Sequence, residues 1–308
     1  VGALAAAPAR AQEAPQIDLQ HFQPHGDRLG WFVTNSADTL ELWQPSFGAW
    51  FSYARHPFSY YRGDTREEAV VSDLMTLDLQ GAIGFGPADL ALDIPIHLMV
   101  GGDGRADWSG AVEGAAFGDM RLTPKVRFLD PDEHPVSLGL VAPISLPTGN
   151  QDKFVGMRTL SFSPMLAVSG EVGMFRLGGN IGARLAGGEE ISEQKVGSAF
   201  LFRLAASVHP HDVVDVTAEI FGDVQGNSRS NPTEWLLGVT VHPVEQLDIV
   251  LAGGTAMGPG IGSPEGRIVL GVGYSPGSSK DSDDDGIVDR KDECPEDPED
   301  IDQFEDDN

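Results

Sequence analysis

Long stretches of the chain alternate apolar and polar residues, and Asp119–Leu129 shows the pattern most clearly. Every second position there is apolar, namely Met120, Leu122, Pro124, Val126 and Phe128. The positions between them carry Arg121, Thr123, Lys125 and Arg127. Because successive side chains of a strand point to opposite faces, this run predicts a strand with one apolar face and one wet, cationic face.

The same alternation recurs in about twelve runs between residues 43 and 275. The predicted strands are Trp43–Tyr53, Met75–Phe85, Leu90–Val100, Asp119–Leu129, Val136–Leu146, Leu160–Val168, Phe175–Leu185, Val196–Val208, Val214–Asp223, Trp235–Val241, Leu247–Thr255 and Arg267–Tyr274. Runs of about 10 residues match tilted membrane strands, whereas soluble strands average about 5–6.

The connections between these runs alternate between short turns and long polar loops, such as Gly86–Asp89 against Arg55–Glu68. Outer-membrane barrels have this asymmetry, with short periplasmic turns and long external loops, while a soluble β-sandwich has no reason for it. Aromatic residues near strand ends suit interfacial girdles, and scattered Gly and Ala on the polar face suit a crowded lumen. We therefore predict an all-β fold, an antiparallel up-and-down transmembrane barrel of about twelve strands. An even strand count places both ends of the barrel on the short-turn side.

The flanking segments have different characters. Residues 1–11 resemble the end of a secretory signal, with small residues at the site Ala9-Arg10-Ala11. Residues 12–42 have no sustained periodicity, and the sequence leaves two placements open for them, in the periplasm or inside the barrel as a plug. Residues 43–275 are the barrel, and residues 276–308 are a linker and an acidic tail.

The net charge of −27 argues against nucleic acid as a partner, since phosphate binding needs clustered Lys and Arg. If the apolar face meets outer-membrane lipid, the other face lines a charged lumen. The predicted lumenal charges are Arg121, Lys125, Arg127, Arg176, Arg184, Asp93, Asp215, Glu219 and Asp223. Two arrangements of these charges remain open. In one, the charges create an electric field across the lumen that orients polar solutes; in the other, they pair with one another and close the lumen.

No motif of an enzyme is present. The sequence lacks a Gly-x-Ser-x-Gly elbow, a His-Glu-x-x-His pair and a Walker loop. Asp93 and His97 share a strand face, but no serine is tied to them by a recognisable motif. We expect no catalytic activity.

The tail carries the most specific motif. Residues 280–308 hold about 15 acidic and 3 basic side chains. Carboxylates at positions 1, 3, 5 and 12 and a glycine at position 6 reproduce the spacing of a calcium loop, in which the carbonyl of position 7 is a further ligand. The predicted ligands are Asp281, Asp283, Asp285, Ile287 through its carbonyl, and Asp292; a possible second site comprises Asp300, Asp302 and Asp306.

Cys294-Pro295 follows this loop, and the segment resembles a thrombospondin type 3 repeat. A signal remnant, a barrel and such repeats in this order resemble the OmpA-family outer-membrane proteins of Gram-negative bacteria, and the large barrel is most similar to myxobacterial versions. The resemblance implies calcium as a cofactor, a periplasmic tail, and binding to peptidoglycan through a C-terminal domain that is absent from these residues.

From these features we expect an anchor that ties the outer membrane to the cell wall through a calcium-stiffened periplasmic stalk. One alternative is an outer-membrane channel for small polar solutes that uses the charged lumen. A second is a surface barrel that binds protein partners at its external loops.

Overall fold

The computed structural model describes residues 15–62, 65–104, 111–130, 134–191, 194–211, 213–226, 230–258 and 260–276. No helix among these residues is long and apolar enough to span a membrane. The strands are β1 (Pro45–Arg62), β2 (Thr65–Gly84), β3 (Ala88–Gly101), β4 (Ala116–Phe117), β5 (Arg121–Leu129), β6 (Ser137–Val141), β7 (Ile144–Ser145), β8 (Ser161–Phe162), β9 (Met165–Val172), β10 (Phe175–Arg184), β11 (Glu189–Ile191), β12 (Gln194–Val196), β13 (Ala199–His211), β14 (Val214–Val224), β15 (Thr233–Val244), β16 (Leu247–Ala256) and β17 (Gly266–Tyr274). A single 3₁₀ turn, Gln151–Lys153, lies in the described part of an external loop.

The sheet closes on itself as a twelve-stranded antiparallel barrel, as predicted. Strand β1 pairs with β17 from Phe47 opposite Tyr274 to Arg55 opposite Gly266, which joins the two ends of the sheet. Strands β6 and β7 share one place in the wall, and β8 and β9 share another. The short β4 and the hairpin β11–β12 belong to long loops.

The apolar face of the wall points outward. Leu92, Phe128 and Leu251 are 41%, 55% and 58% exposed, while the lumenal Asp78 is 0% exposed. Large apolar side chains on an outer surface are stable only against lipid or another apolar partner. The orientation of the two faces is therefore that of a transmembrane barrel.

Two of the predicted strand boundaries are wrong. The segment Arg55–Glu68 is not a loop, because β1 and β2 continue through it as a hairpin as far as Arg62 and Thr65. Phe58 on this hairpin is buried in a cluster with Ile17 and Leu19 and with the loop residue Phe154, and the pairing of β1 with β2 shifts register on both sides of it. The predicted strand Val136–Leu146 is interrupted at Ala142-Pro143, since proline has no N–H to donate to the ladder.

Residues 15–40 lie inside the barrel, and we call this segment the plug; Leu42 and Trp43, which lead from it into β1, are exposed. It begins at the mouth formed by the long loops, where Asp18 bridges Val155. It ends on the short-turn side, where the Trp43 amide donates to the Gly84 carbonyl at 2.9 Å. The first described residues therefore lie on the long-loop side. The even strand count, in contrast, places the beginning of β1 on the short-turn side.

Candidate functional site

One wall of the lumen holds the plug through apolar contacts. Phe22, Phe32 and Val33 of the plug are buried in a cluster whose wall residues come from β1 and β14 to β17, namely Trp50, Phe221, Leu236, Val250, Ala252 and Val269. An apolar core inside a barrel lumen excludes water from the middle of this wall. We call the strands β1 and β14–β17 the apolar wall.

The adjoining wall, which begins at the neighbour of β1, holds the plug through charges, and Arg121 is one of its two centres. Its guanidinium donates to Asp78 at 2.9 Å and to Asp93, and it also reaches the side-chain oxygen of Gln20 in the plug at 3.2 Å. All four side chains are buried. Two carboxylates therefore share one cation, and Asp78 and Asp93 each keep a buried oxygen with no hydrogen-bond partner.

The second centre is Lys125, the next lumenal cation along β5. Its ammonium group lies 2.5 Å from Asp27 of the plug and 3.2 Å from Asp89 of β3. Lys125 is among the largest fully buried side chains of the described residues. We call the strands β2, β3 and β5 the charged wall.

The three acids of β14, namely Asp215, Glu219 and Asp223, each have a different partner. Glu219 accepts hydrogen bonds from the plug amides of Val33 and Thr34 at 2.9 and 2.8 Å. Asp223 pairs with Arg184 at 2.7 Å. These charges bind the plug and neighbouring strands rather than facing one another across an open lumen.

We call the short-turn end of the barrel the lower rim. The acid nearest the short turns, Asp215, joins a chain of charges there. It contacts His209 and lies 3.1 Å from His242, which in turn lies 2.6 Å from Asp248. Arg28 of the plug donates to Asp248 at 2.5 and 2.8 Å. The lower end of the plug is thus tied to β16.

The two remaining predicted cations lie near the lower end of the barrel. Arg176 donates to the Leu29 carbonyl of the plug, and its guanidinium lies 4.1 Å from the centre of the Trp31 ring. Arg127 pairs with Asp130 at 2.5 Å near a short turn. His97, which shares a face with Asp93, is instead 2.9 Å from the Thr76 hydroxyl.

Sequence reasoning missed the plug residues and their closest wall partners. His21 lies 2.6 Å from Glu234, and Arg267 donates to the same carboxylate at 2.8 and 3.1 Å. Burial disfavours a charged imidazole, but the interactions with Asp223 and Glu234 outweigh it and raise the pKa of His21 to about 9. His21 is therefore a cation that fastens the upper half of the plug.

Inward-facing glycines were the sequence signal for a filled lumen. A Cβ at Gly178 would lie 2.2 Å from the ring of Trp31, and one at Gly271 would lie 2.6 Å from Trp50. Only glycine leaves room for these rings against the wall. Trp31 can then donate its indole N–H to the Ser207 hydroxyl at 3.1 Å.

Among the described residues, the lumen retains a small cavity towards each end. The upper cavity, about 60 Å³, lies towards the long loops and is lined by Ile17 and His21 of the plug with Arg184, Arg203 and Asp223 of the wall. The lower cavity, about 80 Å³, lies towards the short turns and is lined by plug residues from His25 to Phe32. The plug thus separates the lumen into two small spaces.

The predicted calcium ligands Asp281, Asp283, Asp285, Ile287 and Asp292 lie outside the described residues, as do Asp300, Asp302 and Asp306. The signal remnant, residues 1–11, lies outside them too. Within the described ranges, no group of three or more His, Cys, Asp or Glu side chains is arranged to hold a metal ion.

The barrel resembles solved outer-membrane proteins. It is similar to an outer membrane channel from Pseudomonas putida F1, with 13% identity over 78% of this chain and 98% of that chain and a TM-score of 0.57. It also matches the NanC porin, with 9% identity over 75% of this chain and 98% of that chain and a TM-score of 0.48. At such identities the first likeness establishes the fold alone.

No curated protein sequence matches the chain. A family model does match it over residues 70–248, which is more than half of its length. The chain therefore belongs to the family described as "putative MetA-pathway of phenol degradation".

Proposed function

We propose that the protein is an outer-membrane channel for small polar solutes, closed by its own plug. The observation that carries this proposal is how the plug is attached. Side-chain contacts to both walls hold it, while its backbone pairing within the described residues is limited to its two ends, namely the bridge between Asp18 and Val155 and the hydrogen bonds with Gly84 that lead into β1. A segment held in this way can leave the lumen without breaking the barrel ladder.

Three findings support a channel over an anchor. The lumenal face is polar, a cavity lies on each side of the plug, and the similar Pseudomonas putida structure is described as an outer membrane channel. The family's description suggests phenols as the first solutes to test, since a phenol combines a hydroxyl group with an apolar ring. The outward apolar face supports a place in the bacterial outer membrane.

A disulfide that locks the plug tests this proposal. The hydroxyl oxygens of Ser36 in the plug and Ser169 in β9 are 3.0 Å apart, a separation that suits a disulfide between cysteines at the two positions. In a Cys294→Ser background, Ser36→Cys with Ser169→Cys is expected to carry no steady current in a planar bilayer when oxidised. Reduction in the same bilayer is expected to restore openings.

The control for this lock pairs Ser36→Cys with Val168→Cys, because Val168 is the next residue of β9 and faces lipid. This pair cannot bridge, so its current should not depend on reduction. Equal currents from the oxidised and reduced Ser36/Ser169 protein, with the disulfide present, would exclude a mobile plug.

A second proposed role concerns the tail. The spacing of Asp281, Asp283, Asp285 and Asp292 supports a calcium-stiffened stalk of the thrombospondin type 3 kind, as in OmpA-family proteins of myxobacteria. An anchor would further need a peptidoglycan-binding domain after residue 308. We expect calcium chelation to increase protease cleavage within residues 280–308 and leave the barrel intact; cleavage that is unchanged by chelator would contradict the calcium stalk.

Binding of protein partners at the external loops remains a further proposal, and deletion of the loop 225–232 would test it. We propose no enzymatic activity.

A further inference from the structure

The upper cavity is lined by a guanidinium that forms no ion pair within 4 Å among the described residues. Arg203, on β13, donates to the carbonyl of Val33 in the plug at 2.8 Å. Among the lumenal arginines and lysines of the described ranges, Arg203 alone has no carboxylate oxygen within 4 Å. Arg121, Lys125, Arg127, Arg176, Arg184, Arg28 and Arg267 all have one.

A second donor faces the same cavity. The Nδ1 atom of His21 is engaged by Glu234, while its buried Nε2 atom has no hydrogen-bond partner and lies 3.7 Å from Asp223. A protonated imidazole has two N–H groups, so the Nε2 proton is available to an acceptor placed in the cavity. A guanidinium without a contact ion pair and an imidazole Nε2 without a hydrogen-bond partner therefore line one small space.

The acids around the cavity do not cancel these donors. Asp223 is paired with Arg184. Asp119 accepts from the amides of Gly149 and Met157 at 2.7 and 2.8 Å. Asp18 accepts from the Gln20 amide at 2.8 Å. Glu219 accepts from the amides of Val33 and Thr34. These carboxylates are thus engaged by other donors, and none of them accepts a hydrogen bond from Arg203.

The size and the remaining lining limit the ligand. A cavity of about 60 Å³ holds roughly four to six water molecules, which corresponds to an acid of about four or five non-hydrogen atoms. Leu201, Phe221 and Met157 supply apolar lining. A dianion such as sulfate or phosphate would bring a second charge and no apolar group to match this lining.

We propose that the upper cavity binds a short-chain monocarboxylate such as propionate, with its carboxylate on Arg203 and His21 and its alkyl end against Phe221 and Leu201. A carboxylate accepts two parallel hydrogen bonds from a guanidinium, a geometry that a neutral amide or alcohol does not reproduce. The proposal rests on the proposed channel in one respect, namely that the upper cavity lies on the path that a solute would follow through the lumen. Binding itself does not require conduction.

Titration of the detergent-solubilised full chain with ¹³C-carboxyl-labelled propionate tests the site. Broadening of the carboxyl resonance reports binding. Acetate is expected to compete, while propionamide and propylammonium are expected not to, because they lack the anionic acceptor. Absence of binding to the wild-type protein, or equal competition by propionamide, would overturn the proposal.

Arg203→Gln is expected to weaken binding about tenfold or more, the usual effect of losing hydrogen bonds to a charged group. Arg203→Lys keeps the charge and should retain part of the affinity. Arg127→Gln is the matched control, because it removes a paired arginine near the lower rim, and it should bind like the wild type. Equal affinity of Arg203→Gln and the wild type would also contradict the proposal.

Compact migration before boiling shows that each variant is a folded barrel. The competition by acetate and propionamide is measured on the wild-type protein, so the proposal stays testable even where a variant does not fold. Normal conduction without propionate binding would exclude this site and leave the channel proposal intact. Propionate binding without conduction would exclude the channel and leave this site intact.

Discussion

The apolar wall adds a buried apolar cluster to its charged contacts with the plug, such as Arg28 with Asp248, whereas the charged wall holds the plug mainly through ion pairs. On the apolar wall, Phe22 and Phe32 are buried against side chains such as Leu236 and Val269. Burial of this kind is strong and nondirectional, so it tolerates small shifts of the plug. On the charged wall, Lys125 holds Asp27 at 2.5 Å, a contact that depends on position. The difference suggests that the apolar wall retains the plug and the charged wall fixes its register.

The largest effect is expected from the apolar wall. Phe22→Ala with Phe32→Ala removes two buried rings, each at a cost of about 3–5 kcal/mol. We expect the plug to leave the lumen, which would be measured as a steady open current and as trypsin cleavage after Arg28. Phe47→Ala with Phe128→Ala is the matched control on the lipid face, and it should leave Arg28 protected. Protection of Arg28 in both double variants would show that the apolar cluster does not retain the plug.

The charged wall should give the next largest effect. Lys125→Met leaves Asp27 and Asp89 buried without their cation, which costs about 3–5 kcal/mol. We expect more trypsin cleavage at Arg28 than in the wild type. The triple variant with Asp27→Asn and Asp89→Asn removes the unpaired charges and should restore most of the protection. If the triple variant is as open as Lys125→Met, the damage comes from lost packing and the ion pairs do not set the position of the plug.

A smaller effect is expected from pH. The folded state favours charged His21, because its pKa of about 9 lies above the ordinary value of 6.5. The resulting stabilisation, of the order of 3 kcal/mol, is complete below about pH 6.5 and is lost as the pH rises through about 9. Open probability should therefore rise between pH 7 and 10, and His21→Gln should flatten that profile. A wild-type profile as flat as that of His21→Gln would contradict the role given to His21.

The barrel could be predicted from the sequence because its signal is local. Alternation with a period of two fixes which residues face lipid, and Leu92 and Phe128 do so. The interruption at Pro143 was also visible as a proline, yet its effect on the ladder depends on the neighbouring strand. Strand existence was thus easier to predict than strand ends.

The plug could not be predicted in the same way. Its contacts are made by single side chains, as Arg28 of the plug reaches Asp248 and Asn180 of β10 reaches the backbone of Asn35, and such contacts leave no period in the sequence. The sequence did show that several inward positions are glycine, as at Gly178. It could not show that Arg203 would be left without a carboxylate, since this depends on where every other charge finds its partner.

The apolar face of the barrel meets lipid while residues 15–40 fill the lumen. Two proteins with a single tryptophan test both parts, one keeping Trp235 on the outer face and one keeping Trp31 in the plug. In vesicles of lipids brominated near the top of the acyl chain, the account predicts strong quenching of Trp235 and little quenching of Trp31 by either the lipid or aqueous iodide. Quenching of Trp31 by iodide equal to that of a free indole, or an absence of lipid quenching at Trp235, would contradict it.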